Sequence, residues 1–261
     1  MIASRYALPH LTGRFWPVVM RHFLVWKKLA GPSVLGNIAE PLITLVAFGY
    51  GVGSLVGQVN GIPYIEFIAS GSVAASAALA ATFEGLYSAY SRMAIQKTWD
   101  GILNAPVALD DIVFAEMLWA AMKALFSVAA ILAVIFVLGI SRAPTMVLAL
   151  PVLGLVGIAF ASMALVFNAL AKGYDFFTYY FTLVVTPMTF LSGVYFPIEQ
   201  MPGWLQAFAQ VLPLKAAVDL VRPLVLGHLP AAPLVPLLIL VGYAAAGYWL
   251  ALVLTRKRFF G

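Results

Sequence analysis

The sequence contains no cysteine, which excludes disulfides, thiolate metal sites and thiol catalysis. Charge is also scarce: only 10% of the 261 residues are Asp, Glu, Lys or Arg, against about 25% in a soluble domain. Because 63% of the residues are hydrophobic, the chain cannot cover itself with a polar surface in water. The composition predicts an integral membrane protein, with residues 1–261 forming a single membrane domain.

Several motifs of common chemistry are also missing. The sequence has no G-x-x-x-x-G-K-[ST] loop for nucleotide phosphates, no H-E-x-x-H and no G-x-S-x-G. Its three histidines are too few and too scattered for a metal cluster. We therefore expect no catalytic residue, no metal and no cofactor in this chain. The net charge of +5 would suggest nucleic acid in a soluble protein, but the basic residues here flank apolar segments, so we expect no nucleic-acid partner.

Six apolar runs reach roughly the 20 residues that a membrane-spanning helix needs. They cover residues 38–56, 64–87, 112–139, 145–170, 176–195 and 233–254. The predicted fold is all-α, with six transmembrane helices, an interfacial amphipathic helix before them and a re-entrant helix pair between the fifth and sixth. Gly49 and Gly53 have the small-xxx-small spacing that lets helices approach closely, whereas Gly57 and Gly61 read as a turn.

The N-terminal region, residues 1–33, combines aromatic and basic side chains. From residue 15 to residue 29, one helical side would carry Phe15, Val18, Val19, Trp26 and either His22 or Phe23. The other side would carry Arg21, Lys27 and Lys28. This pattern predicts a helix lying in the cytoplasmic membrane interface.

The distribution of basic residues predicts the orientation in the membrane. With the N-terminus inside, the outer segments contain only Arg142, Lys215 and Arg222, and Lys123 falls within a span. The inner segments contain Arg5, Arg14, Arg21, Lys27, Lys28, Arg92, Lys97, Lys172, Arg256, Lys257 and Arg258. By the positive-inside rule, both termini and residues 91–111 are cytoplasmic.

Residues 91–111 form a polar interval between two long apolar segments. It contains a short amphipathic piece, residues 99–103, closed by Asn104, Ala105 and Pro106. Proline cannot continue a helix and restricts the residue before it, so this piece can form only one or two turns. Two interpretations are open: a solvated hairpin loop, or a short helix that receives force from a soluble partner.

Residues 195–232 are apolar but interrupted by Pro197, Pro202, Pro213 and Pro223. A segment of this kind, too short to cross twice, is typical of a re-entrant or interfacial helix pair. Trp204 and Phe208, four residues apart, would share one helical face. The segment is either a lid over the outer end of a pathway or an ordinary interfacial anchor.

Glu84, Glu116 and Lys123 fall in the cytoplasmic halves of the second and third spans. Intramembrane charges are costly and usually paired, so we expect an ion pair that involves Lys123. It either fixes two helices or lines the entrance to a pathway. The aromatic cluster that opens the fifth span, which includes Tyr179 and Tyr180, is mainly an interfacial belt, with stacking on a glycan head group as the alternative.

Taken together, these features resemble the ABC-2 permeases over essentially the whole chain. The resemblance is carried by the interfacial helix, the six spans, the loop ending in Asn104-Ala105-Pro106 and the segment LSGVYFPIEQMPGWLQAFAQVLPLKAAVDLVR. It is greatest to the nodulation protein J branch, through the run EPLITLVAFGYG at residues 40–51 and residues 191–197.

The resemblance implies a half-transporter in the bacterial inner membrane. Two copies would form a homodimer, and two copies of a separate cytoplasmic ATPase, which binds ATP and Mg, would dock on it. The ATPase-coupling helix would comprise Lys97, Trp99, Asp100, Gly101, Ile102, Leu103, Asn104, Ala105 and Pro106. The outer gate helices, residues 197–212 and 214–226, would include or adjoin Gly193, Tyr195, Phe196, Pro197, Pro202, Trp204, Phe208, Pro213 and Arg222.

The implied activity is export of an amphipathic glycolipid or lipid-linked oligosaccharide, such as a lipochitooligosaccharide, out of the cytoplasm, with membrane lipids as further partners of the chain. Candidate pathway residues are Glu84, Glu116, Lys123, Tyr179 and Tyr180. The alternatives are an ABC-2 exporter of a polysaccharide, drug or other lipid, and a membrane enzyme acting on lipid-linked sugars with Glu84 or Glu116 as acid or base.

Overall fold

The computed structural model describes residues 6–260, without the side chains of residues 34, 37, 38 and 40. Arg5, counted above among the cytoplasmic basic residues, lies outside the described residues. The described chain is largely helical. Its α-helices are α1 (Phe15–Lys27), α2 (Ala30–Val46), α3 (Gly53–Val56), α4 (Tyr64–Phe83), α5 (Thr98–Leu103), α6 (Leu109–Val137), α7 (Met146–Leu170), α8 (Asp175–Tyr180), α9 (Thr186–Leu191), α10 (Gly203–Ala209), α11 (Pro213–Leu226) and α12 (Leu234–Phe260).

Several of these helices are joined or extended by π-helical stretches. Ala47–Val52 links α2 to α3, and Phe181–Val185 links α8 to α9. Two further stretches, Glu84–Ser88 and Ser91–Ile95, continue α4 beyond residue 83. The second predicted span is therefore longer than expected and brings Arg92 onto a membrane helix instead of a loop.

A short hairpin separates α3 from α4. Its strands, β1 (Gln58–Val59) and β2 (Ile62–Pro63), pair antiparallel with Val59 opposite Ile62. The two loop residues, Asn60 and Gly61, both have positive φ, as the tightest hairpin turns require. Gly57 also has positive φ, so it and Gly61 lie in turns, as the sequence indicates.

Within the described residues, four helices are long and apolar enough to cross a membrane. They are Tyr64–Ile95, Leu109–Val137, Met146–Leu170 and Leu234–Phe260. The first predicted span, residues 38–56, falls on a shorter apolar helix, Pro41–Val56, and the fifth falls on the interrupted helix from α8 to α9. Four of the six predicted spans are thus clear, and the count of six stays a prediction.

The helices pack around α7, which contacts α4, α6, α11 and α12. Small residues allow close approach at several crossings. A Cβ added at Gly157 would lie 3.0 Å from the Cα of Ala121, and one at Gly85 would lie 2.8 Å from the Cβ of Ala164. Phe160 and Leu153 fill the centre and are almost completely buried.

The two ends of this bundle differ in character. The α5 end contains α5, the segment before α1 and the end of α12. There, an ion pair between Arg256 and Asp110, at 2.5 Å, connects the end of α12 to the start of α6. The α11 end holds the hairpin, α10 and α11. There, the Ser141 hydroxyl donates to the carbonyl of Val225, and the Thr145 hydroxyl donates to that of Leu224.

α1 lies alongside α6. Val18, Val19 and His22 are buried, whereas Arg21 and Lys27 are exposed. The apolar side predicted from the sequence is therefore the side that packs against the neighbouring helix.

Candidate functional site

Four charged side chains meet between α6 and the extension of α4. The Arg92 guanidinium donates to Glu116 from Nε at 3.0 Å and from Nη2 at 2.5 Å, and also donates to Glu84 at 2.9 Å. The Lys123 ammonium donates to the other oxygen of Glu84 at 2.7 Å. The four residues form a chain of alternating charge, which we call the buried charge network. The predicted ion pair of Lys123 is present, with Glu84 as its partner.

Two tryptophans complete the hydrogen bonding of the network. Trp99 of α5 donates through Nε1 to Glu116 at 2.9 Å, and Trp119 of α6 donates through Nε1 to Glu84 at 3.1 Å. His22 of α1 places Nε2 3.3 Å from a Glu116 oxygen, without the geometry of a hydrogen bond. The network therefore joins α1, the extended α4, α5 and α6.

The burial of these groups explains why they are paired so completely. The side chains of Glu116 and Glu84 are 0% and 3% exposed, whereas those of Arg92 and Lys123 are 14% and 23% exposed. A charge removed from water is costly unless an opposite charge and hydrogen bonds replace its hydration. The network meets this condition and fixes the relative positions of the four helical elements it joins.

α5 is held by the network on one side and is open on the other. Trp99, which the resemblance places in the coupling helix, is 1% exposed. It therefore anchors the helix to the bundle and does not face a partner. Ile102 and Leu103 are half-buried. The outward face consists of exposed residues: Lys97, Asp100, Gly101, Asn104, Ala105 and Pro106.

The ends of α5 are sharply defined. Lys97 before it has φ 50°, a left-handed conformation that reverses the chain between the extended α4 and α5. Beyond the helix, the Arg14 guanidinium donates to the carbonyl of Pro106. The short helix predicted from Pro106 and the amphipathic piece is present, one residue longer at its start.

At the α11 end, Arg222 joins three separate parts of the chain. Its guanidinium lies 3.8 Å from the ring centroid of Phe67, donates to the carbonyl of Gly193 at 2.7 Å and donates to the hydroxyl of Ser70 at 3.2 Å. Burial lowers the pKa of Arg222 to about 10, so it stays protonated at neutral pH. Arg222 links α11 to α4 and to the turn after α9, where Gly193 has positive φ.

The other residues assigned to the gate divide into buried and exposed groups. Pro197 and Pro213 are buried, and Tyr195 is half-buried. Its carbonyl accepts a hydrogen bond from the Tyr64 hydroxyl. Phe196, Pro202, Trp204 and Phe208 are exposed, and the last two lie on one face of α10 as predicted.

Tyr179 and Tyr180 do not share a surface. Tyr179 is 65% exposed, whereas Tyr180 is 1% exposed and packs its ring 4.2 Å from that of Phe167. Tyr180 is therefore a core residue in this structure and not a surface for a ligand.

Gly49 lies where α2 and its π-helical extension meet α4. A Cβ at this position would lie 2.9 Å from Cγ1 of Ile65. At Gly53, an added Cβ would lie 3.6 Å from Tyr64. The absence of a side chain at Gly49 thus allows a close approach that a larger residue would prevent.

Arg92, Trp119 and His22 were not recognised from the sequence as members of the network. Arg92 stands in a stretch whose composition is that of a polar loop, so the sequence alone uses it only to indicate the orientation in the membrane. The available signal was its spacing of eight residues from Glu84 with Ser88 between them, which places the three on one helical side.

The similarity of the chain to known proteins agrees with this architecture. The ABC-2 type transporter family matches residues 14–226. Nodulation protein J of Rhizobium meliloti (strain 1021) is 43% identical over 97% of this chain and 96% of its own length. Nodulation protein J of Rhizobium leguminosarum bv. trifolii is 44% identical over 97% and 96%.

A more distant relative extends the comparison outside the rhizobia. The inner membrane transport permease YadH of Escherichia coli (strain K12) is 24% identical over 68% of this chain and 71% of its own length. The family match covers most of the chain, and the nodulation J proteins cover nearly all of it. This chain therefore belongs to the ABC-2 type transporter family of membrane permeases.

Proposed function

We propose that this chain is the membrane subunit of an ATP-driven exporter that moves an amphipathic glycolipid or lipid-linked oligosaccharide out of the cytoplasm. The observation that carries the proposal is the position of α5. This helix exposes one face at the end of the bundle and inserts Trp99 into the buried charge network on the other. Such an arrangement can convert a push on a surface helix into movement of membrane helices.

The route of that movement follows the hydrogen bonds. A displacement of α5 moves Trp99 and, through it, Glu116 of α6. Glu116 is bonded to Arg92, and Arg92 is bonded in turn to Glu84, which Lys123 also holds. Because these groups are buried and fully paired, separating any of them is costly, so we expect the elements to move together.

The exposed face of α5 is the proposed docking site for a separate ATPase, as ABC-2 permeases normally work with one. In this proposal, the α5 end is cytoplasmic, because most of the flanking basic residues lie there. Two copies of this chain and two of the ATPase would form the complete exporter, with both chain termini inside.

The proposed pathway runs between α2 and α4. A cavity of about 380 Å³ lies there, lined by residues that include Thr44, Ser72, Ser76 and Phe83. In a homodimer the first, second and fifth predicted spans would bound the route, and α10 and α11 would close its outer end. Arg222 supports this assignment, since it ties α11 to α4 at that end.

The nature of the cargo is proposed from the relatives. Nodulation protein J is the name of close relatives at 41–44% identity, which favours a lipochitooligosaccharide or a similar glycolipid. The geometry argues against an enzyme that uses Glu84 or Glu116 as acid or base. Both carboxylates are buried and bonded to cations and to tryptophan.

The proposal is tested first by finding the partner. The tagged chain is purified in mild detergent from its native host, and the accompanying proteins are identified by mass spectrometry. We expect a stoichiometric ATPase, two copies of each subunit. A chain that is recovered alone from cells producing candidate ATPases would contradict the half-transporter assignment.

The second test uses the reconstituted complex in vesicles, with ATP hydrolysis and transport of a lipochitooligosaccharide measured together. Asp100→Lys reverses a charge on the exposed face of α5, so we expect hydrolysis that no longer drives transport. Arg142→Asp reverses the charge of another exposed residue, at the α11 end; it is the matched control and should transport normally. Normal transport by the Asp100 variant would show that α5 is not the coupling element.

A further inference from the structure

A second cavity, of about 610 Å³, lies beside the buried charge network between α1, α6 and the extension of α4. Its volume is in the range of sites that bind small molecules, and it is large enough for one or two sugar rings. It is distinct from the cavity between α2 and α4, with which it shares no lining residue.

Around this cavity, the positively charged side chains of the network are more exposed than the carboxylates that pair with them. Lys123 and Arg92, whose side chains are 23% and 14% exposed, reach its surface, whereas Glu84 is 3% exposed. Glu116 is fully buried and is not part of the lining. Glu84 belongs to the lining but is almost fully buried, so the charged groups that reach the open surface of the cavity are mainly those of Lys123 and Arg92.

Arg21 adds a cation at the rim of the cavity. It is exposed on α1 and forms no ion pair with any residue that the structure describes. Its charge is therefore available to a ligand, whereas those of Arg92 and Lys123 are already shared with carboxylates. An anionic group in the cavity would meet three cations.

Aromatic and hydroxyl groups form the rest of the wall. Tyr174 is 41% exposed and stacks its ring on that of Tyr87, with 6.0 Å between centroids and 12° between planes. The face of an aromatic ring is electronegative and apolar, so it packs against the C–H face of a sugar. Ser88 and Ser91 supply hydroxyl groups that can bond to sugar hydroxyls.

We propose that this cavity binds an anionic sugar head group, with the anion on Arg21, Arg92 and Lys123 and the sugar ring against Tyr174. The inference rests on the proposed export function only in identifying the bound molecule as cargo. It assigns the cargo a negatively charged sugar, and it gives the buried charge network a contact with the cargo as well as with α5.

The test measures binding to the purified chain in nanodiscs of phosphatidylcholine, without an ATPase. Saturation-transfer NMR compares N-acetylglucosamine 6-phosphate, neutral N-acetylglucosamine and inorganic phosphate. We expect the sugar phosphate to bind about tenfold more tightly than either of the other two. Equal binding of the neutral sugar, equal binding of phosphate alone, or no binding at all would overturn the proposal.

Variants at the rim locate the site without disturbing the buried network. Arg21→Gln should weaken binding of the sugar phosphate about tenfold and leave the neutral sugar unaffected. Tyr174→Leu should weaken both. The matched controls, Lys27→Gln on the same helix and Tyr6→Leu, are exposed and outside the cavity, and should bind like the unaltered chain. Binding that neither rim variant changes would refute the assignment.

A phospholipid head group is the competing occupant. Nanodiscs in which phosphatidylglycerol replaces part of the phosphatidylcholine should leave binding of the sugar phosphate unchanged. If phosphatidylglycerol displaces the sugar phosphate, and Arg21→Gln removes that competition, the cavity is a lipid site and the proposal is wrong. None of these measurements uses ATP, so a failure of coupling through α5 would leave this result standing, and the reverse is also true.

Discussion

Glu116→Gln tests whether the buried charge network stabilises the protein as the geometry requires. The substitution preserves the shape of the side chain and removes its charge. Glu116 accepts hydrogen bonds from Arg92 Nε and Nη2 and from Trp99 Nε1, and its side chain is 0% exposed. Glutamine offers a single acceptor oxygen and places an amide NH2 against one of these donors.

The size of the expected loss of stability depends on the partners that Arg92 keeps in the variant. Removing one partner of a buried ion pair costs about 3–5 kcal/mol. Arg92 keeps its hydrogen bond to Glu84 at 2.9 Å and has some access to water, which places the loss near the lower limit. We therefore expect the free energy of unfolding to fall by about 3 kcal/mol.

The assay is equilibrium unfolding in mixed micelles, followed by tryptophan fluorescence. Asp175→Asn, which removes an exposed carboxylate, is the matched control and should change stability by no more than about 0.5 kcal/mol. A loss below about 1 kcal/mol for Glu116→Gln would refute the reasoning.

A double-mutant cycle separates the pair from its surroundings. Arg92 and Glu116 contact each other. The variant with both Arg92→Gln and Glu116→Gln should therefore lose less free energy of unfolding than the sum of the two single losses, by about 1–3 kcal/mol. Strictly additive losses would show that the two side chains do not interact in solution, whatever their separation in the structure.

Three further substitutions examine other contacts. Gly71→Ala would place a Cβ 2.8 Å from the Arg222 guanidinium and 2.9 Å from a backbone oxygen. We therefore expect the free energy of unfolding to fall by about 1–3 kcal/mol. The control, Gly242→Ala, lies in open space on α12 and should leave stability unchanged or raise it. Asn168→Leu leaves the carbonyls of residues 85 and 86 without their side-chain donor and should cost about 1–3 kcal/mol, with a change below 0.5 kcal/mol counting against that role. Lys123→Ala should reduce assembly with the ATPase and transport together if the ion pair is structural, whereas lost transport in a fully assembled complex would favour a pathway role.

The sequence predicts the long helices and the short helix α5 because both depend on local signals. A run of about 20 apolar residues favours a helix in lipid, since a helix pairs its backbone groups within the segment where no water can bond to them. Pro106 and the polar residues before it limit α5 to a turn or two. These signals do not depend on which helices are neighbours.

The composition of the buried charge network could not be predicted in the same way. Sequence analysis finds Lys123 and two carboxylates because they interrupt apolar runs, and one pair forms as expected. Arg92 and Trp99 belong to the network only because α4 continues through two π-helical stretches and α5 folds back. Neither the length of that extension nor the left-handed Lys97 has a strong local signal, since both depend on the packing of four helical elements.

The same limit applies to the gate. Proline spacing predicts two short helices after residue 195, and α10 and α11 are observed. The partners of Arg222, which are Phe67, Ser70 and Gly193, come from parts of the chain more than 25 residues away. Periodicity in a single sequence gives no information about contacts between residues so far apart in the chain.

The two π-helical stretches at the end of α4 determine which way the side chains beyond them point. A π-helical turn contains one residue more than an α-helical turn, so a return to α geometry at Glu84–Ser88 would rotate everything beyond it by about 100°. That rotation would carry Arg92 away from both carboxylates and turn it toward another helix or toward lipid. In the structure, the ion pairs of Arg92 with Glu84 and Glu116 hold the end of α4 in the rotational position that the π-helical stretches give it.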